Sequence, residues 1–213
     1  MSRPLPFIKI CGQTHTTSVD YALITGARFI GFIFHRSSPR SISPERAAGI
    51  HTGAAKRVGV FVRQSAGEIL DTIARARLDY VQLHGKQTPD DALRIGPERV
   101  IRVLWPESCE TPAALQRQLD TWAPFCAYYL LDAGQTGQAG GLGRLLNASD
   151  FDKLRFPHPW ILAGGLSADN LERVLAQCTP DGVDLNSGVE IFPGLKDLSL
   201  IFAAQRAIRR ARS

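Results

Sequence analysis

The chain has 213 residues, 44% of them hydrophobic and 21% charged, an ordinary balance for a globular protein able to bury a substantial core. No apolar run approaches the roughly 18 residues of a membrane helix, which excludes that class of membrane protein. The net charge of +5 suits an anionic ligand without requiring one.

The first ten residues, MSRPLPFIKI, lack the apolar centre of an export signal, so a cytoplasmic chain is expected. The four cysteines, at 11, 109, 126 and 178, form no CxxC pair and are expected to be reduced. The five histidines, at 15, 35, 51, 84 and 158, show no ligand spacing, so no metal is expected. The basic C-terminal stretch QRAIRRARS lacks interleaved aromatic residues and reads as the solvated face of a last helix, so no nucleic-acid partner is expected.

In chain order, FIKI (7–10) alternates as a half-buried strand would, and TTSVDYALITG (16–26) follows as a helix stopped by Gly26. FIGFIF (29–34) is the second strand. SPERAAGI (43–50) has Ser43 placed as an N-cap, Pro44 at the first helical position and Glu45 in the first turn. KRVGVFV (56–62) leads to SAGEILDTIARAR (65–77), where Ile69, Ile73 and Ala76 share one helical face. YVQL (80–83), RVIRVL (99–104) and AYYLLD (127–132) are strands, separated by the Thr-Pro helix starts TPDDALRI (88–95) and TPAALQRQLDTW (111–122). WILAG (160–164), SADNLERVLAQ (167–177), GVDL (182–185) and LKDLSLIFAAQRAIRRA (195–211) complete the alternation.

Strand and helix in strict alternation imply right-handed βαβ units and a parallel sheet. Eight strands with no linker predict one domain over residues 1–213, a (β/α)8 TIM barrel. A doubly wound sheet would want a GxGxxG first turn, and here that turn reads CGQT.

A TIM barrel places its active site at the C-terminal ends of its strands. Those ends carry Cys11-Gly12, then HRSSPR with Arg36 and Arg40, His84-Gly85, Asp132, Gly164-Gly165, and DLNSGVE after the last strand. Gly164, Gly165, Ser187 and Gly188 fall in the two loops that usually hold a phosphate through backbone N–H groups. Asp132 precedes a long glycine-rich loop that reads as a lid. Strands 1 and 6 are not neighbours in the ring, so Cys11 and Asp132 are expected to face each other across the mouth. Arg40 offers a planar fork for a carboxylate at the end away from the phosphate. His84 is expected to line or orient the site, and Asp184 to brace Cys11 or the phosphate loop from behind.

KICGQT, GFIFHRSSPR, VGVFV, DYVQLHG, LLDA with a downstream Gly-Gly-x-Gly, ILAGGL and VDLNSGVEIFPGLKD run in order from residue 9 to 197. Together they resemble the phosphoribosylanthranilate isomerases of tryptophan biosynthesis. The resemblance implies a cofactor-free Amadori rearrangement of a small phosphorylated aminoaldose into an aminoketose. It implies Cys11 as general base, Asp132 as general acid, Arg40 on the anthranilate carboxylate, and Gly164, Gly165, Ser187 and Gly188 on the phosphate. The base must act as a thiolate, which an electropositive mouth would favour. The chain departs from the family pattern in three places. Leu142 stands in Gly140-Gly141-Leu142-Gly143 where a threonine is usual, Asn147 stands where an aspartate is usual, and Asn186 replaces a common serine beside the phosphate.

Two other readings fit the barrel: a different phosphosugar isomerase, and a non-catalytic barrel that binds a phosphorylated metabolite. A histidine-pathway relative would be expected to use two aspartates, against which the Cys11–Asp132 pair speaks. Monomer and homodimer both remain open on sequence alone.

Overall fold

The computed structural model describes residues 4–133, 151 and 153–212. Eight strands form a closed parallel barrel: β1 (Phe7–Ile10), β2 (Phe29–Ile33), β3 (Lys56–Phe61), β4 (Tyr80–Leu83), β5 (Val100–Leu104), β6 (Tyr128–Asp132), β7 (Trp160–Ala163) and β8 (Gly182–Leu185). Each strand pairs with the next, and β8 returns to β1 in register from Phe7↔Gly182 to Ile10↔Leu185. All eight expected strands are present, several one residue shorter than the sequence suggested.

The local signals act as their chemistry dictates. Ser43 caps Pro44–Gly49, Ser65 caps Ala66–Ala76 in a capping box with Glu68, and Thr88 caps Pro89–Ile95 with Asp91. Thr111 accepts from the Ala114 N–H ahead of Pro112–Trp122. The first helix, Thr16–Ile24, starts after His15 with no side-chain cap and ends before Gly26, not on it.

One boundary differs more. Leu195 and Lys196, expected to open the last helix, form the strand β10, antiparallel to β9 (Glu190–Phe192). The helix begins at Leu198, because the Asp197 carboxylate accepts from the Leu200 N–H and an N-cap residue is extended rather than helical. This hairpin follows β8 in the chain after the short 3-10 turn Ser187–Val189.

The barrel strands are buried on both faces, as parallel strands wrapped in helices must be. Ile8, Ile30, Phe32, Leu83, Tyr129 and Leu162 pack outward in the layer shared with the helices. Phe29, Val58, Ile101, Val103, Leu130 and Ile161 fill the interior. The floor is a cluster of rings: Phe7, Phe29, Tyr80 and Tyr128 meet with centroids 5.1–6.2 Å apart, and the Arg28 guanidinium lies over Phe7 and Phe29. The half-buried reading of FIKI is corrected here: Lys9 faces the barrel interior and is fully buried. No helix among the described residues is long and apolar enough to cross a membrane.

Candidate active site

A cavity of about 450 Å³ opens at the C-terminal ends of the strands. Among its lining residues are Cys11, His84, Asp132, Gly164, Gly165, Asp184, Asn186 and Ser187. Eight of the ten residues singled out in the sequence therefore meet at one place. The strand period of two explains the grouping: Lys9 and Cys11, Gln82 and His84, Leu130 and Asp132, and Asp184 and Asn186 point the same way off their strands.

Cys11 follows β1 and is buried, its N–H bonded to the Leu185 carbonyl at 2.9 Å. Its electrostatics differ from the lowered thiol that the chemistry suggested. Burial pushes the Cys11 thiol up, Lys9 pulls it back down, and Asp184 adds to the rise. The expected lowering is overridden because desolvation of a thiolate inside the barrel outweighs the nearby ammonium.

That ammonium is the main residue the sequence reading passed over. Lys9 Nζ lies 2.6 Å from Asp184 Oδ2, both side chains buried, across the β1–β8 register pair Lys9↔Asp184. Burial works to lower the Lys9 pKa, but Asp184 and Cys11 outweigh it and leave it raised. At Asp184 burial prevails and the carboxyl is pushed up, with Lys9 opposing. A 2.6 Å contact is that of an ammonium on a carboxylate, so the rise at Lys9 is the shift that describes the pair. Asp184 Oδ1 is buried without a hydrogen-bond partner in this structure. The signal for Lys9 was present in the sequence as a lysine two residues before Cys11, hence on the same face of the strand.

Asp132 closes β6 on the opposite side of the ring, with His84 Nε2 3.8 Å from its Oδ2. His84 stands edge-on to Trp105 and lies 3.4 Å from the Gln82 amide through Nδ1. Burial pushes the His84 pKa down while Asp132 opposes, so the imidazole is neutral at pH 7.

The two loops after β7 and β8 are locked together. Gly164 and Gly165 adopt φ of 104° and 61°, turning the chain back on itself. Behind them Ser167 and Asn170 form a capping box for Ala168–Leu175, and the Asn170 amide also donates to the Gly165 carbonyl at 2.8 Å. Gly188 does not line the cavity. It lies where a Cβ would come within 2.0 Å of the Leu166 carbonyl oxygen, so it holds the loops in contact.

Arg40 also lies outside the lining residues and is not a free cation. Its guanidinium contacts Glu190 through Nε and Nη2, the shortest contact being 2.6 Å, and its pKa is raised, chiefly by that hydrogen bonding. Gly140, Gly141, Leu142, Gly143 and Asn147 fall outside the described residues.

The family model for N-(5'-phosphoribosyl)anthranilate (PRA) isomerase matches residues 8–205. The N-(5'-phosphoribosyl)anthranilate isomerase of Desulfovibrio desulfuricans is 50% identical over 197 residues, covering 92% of each chain. That of Maridesulfovibrio salexigens is 44% identical over 201 residues, covering 94% of this chain and 97% of the relative. Among solved structures, the Thermotoga maritima phosphoribosyl anthranilate isomerase superposes with a TM-score of 0.80 at 32% identity, over 97% of this chain and 100% of that one. A phosphoribosyl anthranilate isomerase in complex with reduced 1-(o-carboxyphenylamino)-1-deoxyribulose 5-phosphate superposes at 0.79 with 29% identity, again over 97% and 100%.

Proposed function

The chain belongs to the N-(5'-phosphoribosyl)anthranilate isomerase family, and on that premise we propose that it performs this isomerisation in tryptophan biosynthesis, as a single cytoplasmic domain, with Cys11 as base and Asp132 as acid. The observation that carries the assignment is that Cys11 and Asp132, on strands that are not neighbours in the ring, line one cavity together with Gly164, Gly165 and Ser187 of the loops after β7 and β8.

The substrate phosphate is held by backbone N–H groups of those loops, near Gly164, Gly165 and Ser187, with Asn186 beside it. The sugar then spans the cavity between Cys11 and Asp132, and Arg40 receives the anthranilate carboxylate. Asp132 gives its proton to the ring oxygen as the C1′–O bond breaks and the amine lone pair forms the iminium. The iminium acidifies the C2′ proton, which the Cys11 thiolate removes, and the electron pair moves to give the enolamine. A proton passes from the C2′ hydroxyl to C1′, leaving the ketone. The two groups finish with their protonation exchanged and reset through solvent.

Lys9 favours the anionic thiol against the cost of burial. His84, neutral and beside Asp132, orients the acid. In vitro, phosphoribosylanthranilate generated in situ and followed by loss of anthranilate fluorescence tests the assignment. Turnover by the wild type, with losses of at least about 100-fold in both Cys11→Ala and Asp132→Asn, is expected for removal of a positioned base and acid. An inactive wild type, or an unimpaired Cys11→Ala, refutes it.

A further inference from the structure

The contact between Arg40 and Glu190 has a geometry that assigns Glu190 a task. Arg40 Nε lies 2.9 and 3.0 Å from the two Glu190 oxygens, and Nη2 lies 2.6 Å from Oε2. A guanidinium presents two forked edges, and this contact uses only the Nε–Nη2 edge. Nη1 has no partner among the described residues, so the Nη1–Nη2 edge is open to a second carboxylate.

Glu190 is itself fixed. Its side chain is 4% exposed, against 19% for Arg40, so only the arginine reaches solvent. Glu190 Oε1 also accepts from the buried Lys196 ammonium at 2.7 Å and from the Gly194 N–H at 3.0 Å. Lys196 donates in turn to the Asn186 carbonyl at 3.1 Å and to Asn186 Oδ1 at 2.8 Å, tying the network to the cavity wall. Burial tends to raise the Glu190 pKa, but its bonds to Arg40 and Lys196 prevail and lower it, so it stays ionised at neutral pH.

The stem of Arg40 crosses the end of β1. A Cβ on Gly12 would sit 2.7 Å from Arg40 Cδ and 2.7 Å from Asn186 Oδ1, so the bare glycine lets the arginine lie beside Cys11. One carboxylate between two cations leaves a net single positive charge, presented outward on Arg40.

We propose that Glu190 is a positioning residue for substrate selection: it grips Arg40 by one edge so that the other receives the anthranilate carboxylate, while Lys196 cancels its charge. This rests on the assignment of Arg40 given above. A substrate lacking the carboxylate gains nothing from the arrangement, so Glu190 sets a preference for an amine that bears an ortho acid.

The test compares two substrates on wild type, Glu190→Gln and Arg40→Ala. One is phosphoribosylanthranilate, and the other is the aminoaldose formed from aniline and ribose 5-phosphate, which lacks the carboxylate. For Glu190→Gln, KM for phosphoribosylanthranilate should rise at least about 10-fold with kcat within about 3-fold, since ground-state binding is what is lost. On the aniline-derived substrate kcat/KM should change by less than about 3-fold. Equal losses on both substrates would reduce Glu190 to a scaffold residue and overturn the proposal. A lower KM for phosphoribosylanthranilate would overturn it too, by showing that Glu190 competes for Arg40. If Arg40→Ala keeps the wild-type preference between substrates, the assignment of Arg40 falls, a failure recognisable without the Glu190 data. Should Glu190→Gln not fold, Glu190→Asp keeps the charge but withdraws the carboxylate by one methylene, and is read in the same way.

Discussion

Lys9→Met removes an ammonium from inside the barrel while keeping most of the side chain's length. Asp184, buried and 2.6 Å from that ammonium, is left without its counter-charge. Removing one partner of a buried pair costs about 3–5 kcal/mol, because the remaining charge is neither solvated nor paired. At about 2.1 cal/mol/K of unfolding entropy per residue, the chain has roughly 0.45 kcal/mol/K, so Tm should fall by about 7–11 °C at pH 7. The pH dependence has a definite sign. In the variant, burial, reinforced by Asp132 and opposed only by the smaller pull of Lys196, raises the folded-state Asp184 pKa above its unfolded value, so the protonated form is favoured by folding. That contribution is fully present below the unfolded value near pH 4 and is lost as pH rises through the folded one. The gap between variant and wild type should therefore narrow from pH 8 to pH 5 in calorimetric scans. Lys9→Met/Asp184→Leu should recover most of the loss, since an apolar pair needs no counter-charge. A fall of less than about 2 °C at pH 7, or a gap that widens on acidification, would refute an ionised pair at this position.

Gly188→Ala forces a Cβ against the Leu166 carbonyl, a backbone atom that cannot swing aside. The loops after β7 and β8 should part, raising KM and the inhibition constant for inorganic phosphate about 10-fold or more while the barrel melts as a unit; unchanged phosphate inhibition would contradict a phosphate role for these loops. The buried Cys11 thiol is held above its ordinary 9.0, so its alkylation by iodoacetamide, read by peptide mapping, should still accelerate above pH 9. Lys9→Met should move that profile further up, since Lys9 pulls the thiol down.

The fold was legible because its signals are local. Ser43-Pro44 and the Thr-Pro starts at 88 and 111 are capping chemistry confined to a few residues, and the helices begin where that chemistry acts. The site was legible at the level of placement, since a strand's end is read from the strand itself. What escaped was pairing across distant segments. Nothing in FIKI says that its lysine meets a carboxylate 175 residues away, and nothing in SSPR says that its arginine is already gripped by Glu190. The same limit explains the last helix. Read alone, LKDLSL continues a helical pattern, but Lys196 is drawn into a buried contact with Glu190 and the helix begins three residues later, at Leu198, capped by Asp197.

The ring cluster at the bottom of the barrel has a consequence for solvent access. Phe7, Phe29, Tyr80 and Tyr128, with Arg28 across them, plug one end of the interior beneath the Lys9–Asp184 pair. The cavity that Cys11 and Asp184 line opens at the other end, beyond the C-terminal ends of the strands. A molecule seated in the mouth would therefore stand between the buried Lys9–Asp184 pair and the solvent.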